Sequence, residues 1–100
     1  IEAARLRVAV VIDGFIAGAA ALAAIRLAPS AAAALFISHR SAERGASALA
    51  AQLQAAGCGP AALDLGMRLG EGTGSLVALG VLRSAAAVLE MATLQEATAL

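Results

Sequence analysis

Val8-Ala9-Val10-Val11-Ile12 is a β-rich, uncharged run that stops abruptly at Asp13-Gly14. No other stretch restricts the fold as strongly. A short continuous apolar run suits a strand buried on both faces, as in a parallel sheet. Phe15 to Leu27 then reads as a helix, with Pro29 just past its end. That order points to an α/β fold: part of a Rossmann-like, three-layer domain with helices packed on a parallel sheet. The alternative is one membrane span from Val8 to Ala28, which is long enough at roughly 20 residues. Asp13, Arg26 and the switch from a β-rich to an alanine-rich half weigh against it.

The layout then repeats. Strands are expected near residues 7–12 and 32–37, the second weaker because alanine is a poor strand former. Ser38-His39-Arg40-Ser41 follows, then a helix from about Ala42 to Ala56. Leu49 and Leu53 mark its inner stripe, Glu43, Arg44, Gln52 and Gln54 its polar side. Gly57 and Gly59-Pro60 stop it. Between Ala61 and Leu69, apolar Leu63, Leu65, Met67 and Leu69 alternate with Asp64, Gly66 and Arg68, which predicts an extended segment with one buried face. Leu76 to Met91 is a helix pattern charged only at Arg83 and Glu90, and so expected to be buried on most sides. Ala92 to Leu100 reads as a last helix, with Thr93 as its cap.

Hydrophobic residues make up 61% of the chain, charged residues 14%, and the mean hydropathy is +0.87. A small domain normally covers its surface with charge. Here the cover is expected to be more of its own polypeptide, a second subunit, or lipid. Ile1 opens on what reads as the end of a polar helix turn with Glu2 and Arg5, so a piece of a longer protein is expected. No secretory signal is visible, because Glu2, Arg5 and Arg7 mix their signs and no cleavage site follows the apolar run. Zero net charge, and Phe15 and Phe36 as the only aromatics, exclude a nucleic-acid footprint. The lone Cys58 excludes an intramolecular disulfide and a cysteine metal cluster, and suits a reducing compartment.

Three polar stretches carry chemistry. Asp13 stands where a parallel strand meets its loop, the edge at which such sheets bind ligands; equally, Asp is a common helix cap. Ser38, His39, Arg40 and Ser41 precede a helix start and make a phosphate site in chemical terms. They also read as a Ser41 cap with His39 and Arg40 in solvent. His39 has no second histidine or nearby cysteine, so no metal is assigned. In Gly70-Glu71-Gly72-Thr73-Gly74 a single carboxylate sits among glycines directly before the apolar helix, which would begin near Ser75. Such a loop either cradles an anion and holds Glu71 in position, or is a turn with a surface glutamate.

Val11-Ile12-Asp13-Gly14-Phe15, Ser38-His39-Arg40-Ser41-Ala42-Glu43 and Asp64-Leu65-Gly66-Met67-Arg68-Leu69-Gly70-Glu71-Gly72-Thr73-Gly74 together resemble three blocks of the nicotinate-nucleotide–dimethylbenzimidazole phosphoribosyltransferases. The blocks stand in the family's order and at similar spacing. The resemblance covers essentially the whole chain and corresponds to the C-terminal part of the family's sequence, that of its large domain. It implies transfer of phosphoribose from nicotinate mononucleotide to 5,6-dimethylbenzimidazole, giving α-ribazole 5'-phosphate and nicotinate, in cobalamin nucleotide-loop assembly.

By the same resemblance, Glu71 matches the family's general base, Asp13 an active-site carboxylate, Ser41 a residue at the phosphate end and Leu69 a wall of the base pocket. Gly72 and Gly74 are expected to contact the phosphoribosyl group, and Ser38 and His39 join Ser41 as candidate substrate-binding residues. Met67 could add a second flat wall. The family implies a cytoplasmic homodimer and no metal or redox cofactor. Its N-terminal part, with a Gly-rich, Glu-containing loop of its own, is not in this sequence, so the chain alone is expected to be inactive. Two rivals stand beside this: a non-catalytic α/β interaction or scaffold module of the same fold, and a membrane-associated helical hairpin.

Overall fold

The computed structural model describes residues 1–99. The β-branched run forms β1 (Val10–Ile12), which pairs in parallel with β2 (Leu35–Ile37), Val10 opposite Leu35 and Ile12 opposite Ile37. Residues 61–63 lie along the far side of β2. Ala62 N–H donates to the Ile37 carbonyl at 2.9 Å, Leu63 N–H to that of Ser38 at 3.0 Å, and Arg40 N–H returns to that of Leu63 at 2.7 Å. The carboxyl ends of β1 and β2 therefore bring Asp13 beside Ser38 and His39.

Helices α2 (Phe15–Leu27) and α3 (Ala46–Ala55) pack on each other and cover Ile12 and Ile37 in one apolar cluster with Ala21, Ile25, Leu53 and Cys58. Burial of a side chain such as Leu53 contributes about 2 kcal/mol. Burial also pushes the Cys58 thiol pKa up. The order is completed by α1 (Glu2–Arg5), α4 (Thr73–Val88) and α5 (Leu94–Thr98). The result is the expected mixed α/β arrangement with helices on a parallel sheet. The expected span over residues 8–28 is divided between β1 and α2, and among the described residues no helix is long and apolar enough to cross a membrane.

Several boundaries differ from the sequence expectation, each for a local reason. β1 starts at Val10 rather than near residue 7, because Arg7 and Val8 close the end of α1. Arg7 takes φ +57°, and the N–H groups of Arg7 and Val8 donate back to the carbonyls of Ala4 and Ala3. β2 starts at Leu35 rather than 32, because Pro29 opens a 3-10 helix over Pro29–Ala34 that absorbs the alanines. α3 starts at Ala46 rather than 42: Ser41 Oγ accepts the Glu43 N–H at 3.2 Å, and this local turn competes with helix.

The alternation from Ala61 to Leu69 holds through Leu63 and then fails. The chain leaves extended backbone at Gly66, φ +63°, and Leu65 and Leu69 are exposed while Met67 is half-buried. Thr93 does cap α5, accepting the Glu96 N–H at 3.2 Å while Glu96 accepts the Thr93 N–H at 2.8 Å. The expected helix reaches Leu100, which lies outside the described residues. Helix α4 begins at Thr73, ahead of Ser75, and ends at Val88 rather than Met91. It is not buried on most sides: Gly74 and Ala78 are covered, whereas Leu76, Val77 and Val81 are exposed. Its contact with the rest of the fold is a narrow one, chiefly to β1.

Candidate active site

Ile12 anchors the end of β1 in the core, so Asp13 emerges at the sheet edge. Its carboxylate caps a helix, but not the helix that follows it. Oδ2 accepts the Gly72 N–H and Oδ1 the Ser75 N–H, each at 3.2 Å. Gly72 is the cap residue of α4 and Ser75 lies in its first turn, where the N–H groups have no partner within the helix. The negative charge also meets the positive end of the α4 dipole. Helix α2 takes Gly14 at its own cap position and has no side-chain cap. Two more bonds fix the junction. Ser75 Oγ donates to the Val11 carbonyl at 3.1 Å, and Ser38 Oγ donates to the Asp13 carbonyl at 3.1 Å.

Immediately before α4, Gly70, Glu71 and Gly72 take φ of +78°, +58° and +80°. Glycine adopts this left-handed region freely; for Glu71 it costs about 1–2 kcal/mol. The loop is held closed by Thr73, whose N–H and Oγ1 donate to the Gly70 carbonyl at 3.1 and 2.8 Å. Strained backbone of this kind persists only where its surroundings over-determine it, and it concentrates at functional sites. The Glu71 side chain is exposed.

His39 is 5% exposed, and its Nε2 lies 3.8 Å from Asp13 Oδ1. Its ring rests on Gly74: a Cβ at that position would fall well inside van der Waals contact with Cδ2 and Nε2. Gly74 is thus glycine because an imidazole packs against its backbone. Nδ1 is buried without a hydrogen-bond partner among the described residues.

A cleft of about 530 Å³ opens between the sheet edge, α2 and α3. Asp13, His39, Arg40 and Ser41 line its polar side; Gly18, Leu49 and Leu53 lie on its apolar side. Of the residues singled out from sequence, the structure gathers Asp13, His39, Gly72 and Gly74 at one junction, with Glu71 beside it in the loop. Ser38 is fully buried behind Asp13. Ser41 reaches the cleft, but the four residues 38–41 do not converge on a helix start, because α3 begins only at Ala46 and the 38–39 side chains turn toward β1 and α4. Arg40 is exposed, 3.7 Å from Asp64. Leu69 is 74% exposed and lies off the cleft, as do Glu71, Gly72 and Gly74. Among the described residues, no group of three or more His, Cys, Asp or Glu side chains could hold a metal ion.

Two residues of the junction escaped sequence reasoning. Ser75 and Thr73 are of the types that bond to nearby backbone, which was a usable signal. The partner of Ser75, the Val11 carbonyl, lies 64 positions away and leaves no local trace.

A family model described as "Phosphoribosyltransferase" matches residues 1–99. Over 96 residues the chain is 53% identical to the nicotinate-nucleotide–dimethylbenzimidazole phosphoribosyltransferase of Chloroflexus aurantiacus, covering 95% of this chain and 26% of that protein. The protein of the same name from Syntrophobacter fumaroxidans is 55% identical with the same coverage. A crystal structure of the Thermus thermophilus protein of that name superposes with a TM-score of 0.83 at 45% identity, covering 96% of this chain and 28% of that one. The chain spans about a quarter of the length of the curated relatives it matches. With both site loops inside the matched residues, this chain belongs to the phosphoribosyltransferase family.

Proposed function

We propose that these residues form the C-terminal part of the large domain of an enzyme that moves phosphoribose from nicotinate mononucleotide to 5,6-dimethylbenzimidazole. The products are α-ribazole 5'-phosphate and nicotinate, and the step belongs to cobalamin nucleotide-loop assembly. The observation that carries this reading is Glu71, an exposed carboxylate kept in strained left-handed backbone by a loop that Asp13 ties to the sheet.

The chemistry follows from that carboxylate. One benzimidazole nitrogen forms the bond to the anomeric carbon, and the bond to the pyridinium nitrogen of nicotinate breaks, its electron pair leaving with nicotinate. The configuration inverts from β to α. The attacking ring becomes cationic unless the proton on its other nitrogen is removed, and Glu71 takes that proton. General-base help of this kind is worth about 10²–10⁴-fold. Asp13 holds the loop and contributes negative charge near the sugar, where positive charge develops. Ser41 supports the phosphate end and Gly72 the phosphoribosyl end, Leu69 with Met67 offers apolar surface to the base, and the buried Ser38, His39 and Gly74 act from behind by holding Asp13 and the loop.

The reading extends to a homodimer in the cytoplasm. The bare apolar side of α4, with Leu76 70% exposed, supports a covering surface, and the free Cys58 suits a reducing compartment. Sedimentation of the full-length protein at twice its monomer mass is the expected result; a monomer would remove this part.

Incubating the full-length protein with nicotinate mononucleotide and dimethylbenzimidazole tests the activity. Nicotinate and α-ribazole 5'-phosphate should appear in equal amounts by chromatography. A folded protein that releases neither with any benzimidazole would turn the reading to a non-catalytic module of the same fold.

A further inference from the structure

We propose that His39 is a positioning residue for Glu71, acting through Asp13 and Gly74; this rests on the reading of Glu71 as general base. His39 touches the junction at two points. Its Nε2 faces Asp13 Oδ1 at 3.8 Å, and its ring bears on the backbone of Gly74. Both contacts lead to the same short stretch of chain. Asp13 holds the Gly72 N–H, and Gly72 directly follows Glu71. Gly74 and Gly72 belong to one closed turn, because Thr73 N–H donates to the Gly70 carbonyl and Leu76 N–H to that of Gly72. A shift of the imidazole therefore moves Gly74, Gly72 and Glu71 together.

The choice of residue also needs explaining. Nδ1 is buried without a partner among the described residues, a situation that native structures mostly avoid. An apolar side chain would fill the same space without that cost. What the imidazole adds is a polar edge: Nε2 faces Asp13 Oδ1 at 3.8 Å, too long for a hydrogen bond but close enough for the two groups to interact electrostatically where little water intervenes. The guanidinium of the adjacent Arg40 is exposed and faces Asp64, whereas the buried ring has Asp13 as its ion-pair neighbour among the described residues. A general base works only within hydrogen-bond reach of its proton, and a misplacement of about 1 Å can cost about 100-fold in rate.

The test uses the full-length enzyme with His39→Leu, which keeps bulk and loses the polar edge, and His39→Gln, which keeps a polar group facing Asp13. His39→Leu should lower kcat by about tenfold or more, within the range set by misplacement, with the KM for nicotinate mononucleotide nearly unchanged. His39→Gln should recover most of that loss. In a Glu71→Gln background, His39→Leu should cost nothing further. Independently of turnover, the Gly72 and Ser75 amides should exchange hydrogen faster in His39→Leu, while the amides of α2 and α3 do not. Gly74→Ala presses on the same contact from the other side and should reproduce the kcat pattern if His39→Leu does not fold. A raised KM with unchanged kcat, additive losses in the double variant, or unaltered exchange at Gly72 and Ser75 would each overturn the proposal. A wild type without turnover defeats the assigned activity, and the exchange measurement still decides whether His39 holds the loop.

Discussion

Asp13 Oδ1 accepts the backbone N–H of Ser75 at 3.2 Å, so the carboxylate that ends one strand caps a helix that lies 62 residues further along the chain. The bond joins the two most distinctive stretches of the sequence. It also makes the conformation of the Glu71 loop depend on the end of β1.

Removing that cap should cost stability. Asp13→Ala deletes both acceptors and the charge facing the α4 dipole, and should destabilise by about 1–2 kcal/mol. Asp13→Asn keeps one acceptor oxygen and should lose about half as much. Denaturant midpoints of the two variants check the ranking. Equal midpoints for Asp13→Ala and the wild type would show that the cap is idle.

Glu71 should trade stability against activity. Glu71→Gly relieves about 1–2 kcal/mol of left-handed strain, less about 0.5–1 kcal/mol for the added freedom of the unfolded chain. A net gain of up to about 1.5 kcal/mol is expected, together with loss of turnover. Glu71→Gln keeps the strain, so its thermal midpoint should match the wild type. A Glu71→Gly variant less stable than Glu71→Gln contradicts the strain assignment.

Two glycines should respond differently to alanine. At Gly18 a Cβ would come 2.8 Å from Leu49 Cδ2, the end of a side chain that can turn away, and α2 gains about 1 kcal/mol of helix propensity. Gly18→Ala should therefore be close to neutral. At Gly74 the obstacle is a buried ring between Asp13 and the helix, and Gly74→Ala should cost about 1–3 kcal/mol. Paired thermal melts decide it, and a neutral Gly74→Ala would contradict the close packing.

Much of this architecture was legible in the sequence because it is local. The β-branched run before Asp13, the stop after Leu27 and the Thr93 cap are written in neighbouring residues. Pro29 reads as the end of a helix, yet it also starts the 3-10 segment that takes the alanines away from β2. Asp13 was legible as a cap, but its helix was not, since a cap supplied from another part of the chain has no sequence spacing. His39 gave no sign of burial, because what buries it is Gly74, a residue singled out for ligand contact. Apolar letters marked Leu65, Leu69 and the outer side of α4 as interior, yet they are exposed. Hydrophobicity states that a surface is to be covered, not by what.

The last helix should loosen in acid. Glu96 has its carboxyl pKa lowered from the usual 4.5, first by the bond from the Thr93 backbone N–H and then by that from the Thr93 hydroxyl. A depressed folded pKa adds stability that is present above the unfolded value and is lost as pH falls through the folded one. NMR should therefore show α5 intact near neutral pH and fraying only below 4.5. Thr93→Val should return the Glu96 titration toward its ordinary midpoint. An unmodified Glu96 titrating at or above 4.5 contradicts the capping box.

The most direct test of the central claim is steady-state base exchange by the full-length enzyme, wild type against Glu71→Gln, with nicotinate mononucleotide and dimethylbenzimidazole. The account predicts that α-ribazole 5'-phosphate forms with the wild type and that kcat falls about 100-fold or more in the variant, on the scale of a lost general base. Turnover that survives Glu71→Gln undiminished would contradict it, and would place the proton acceptor elsewhere than on this loop.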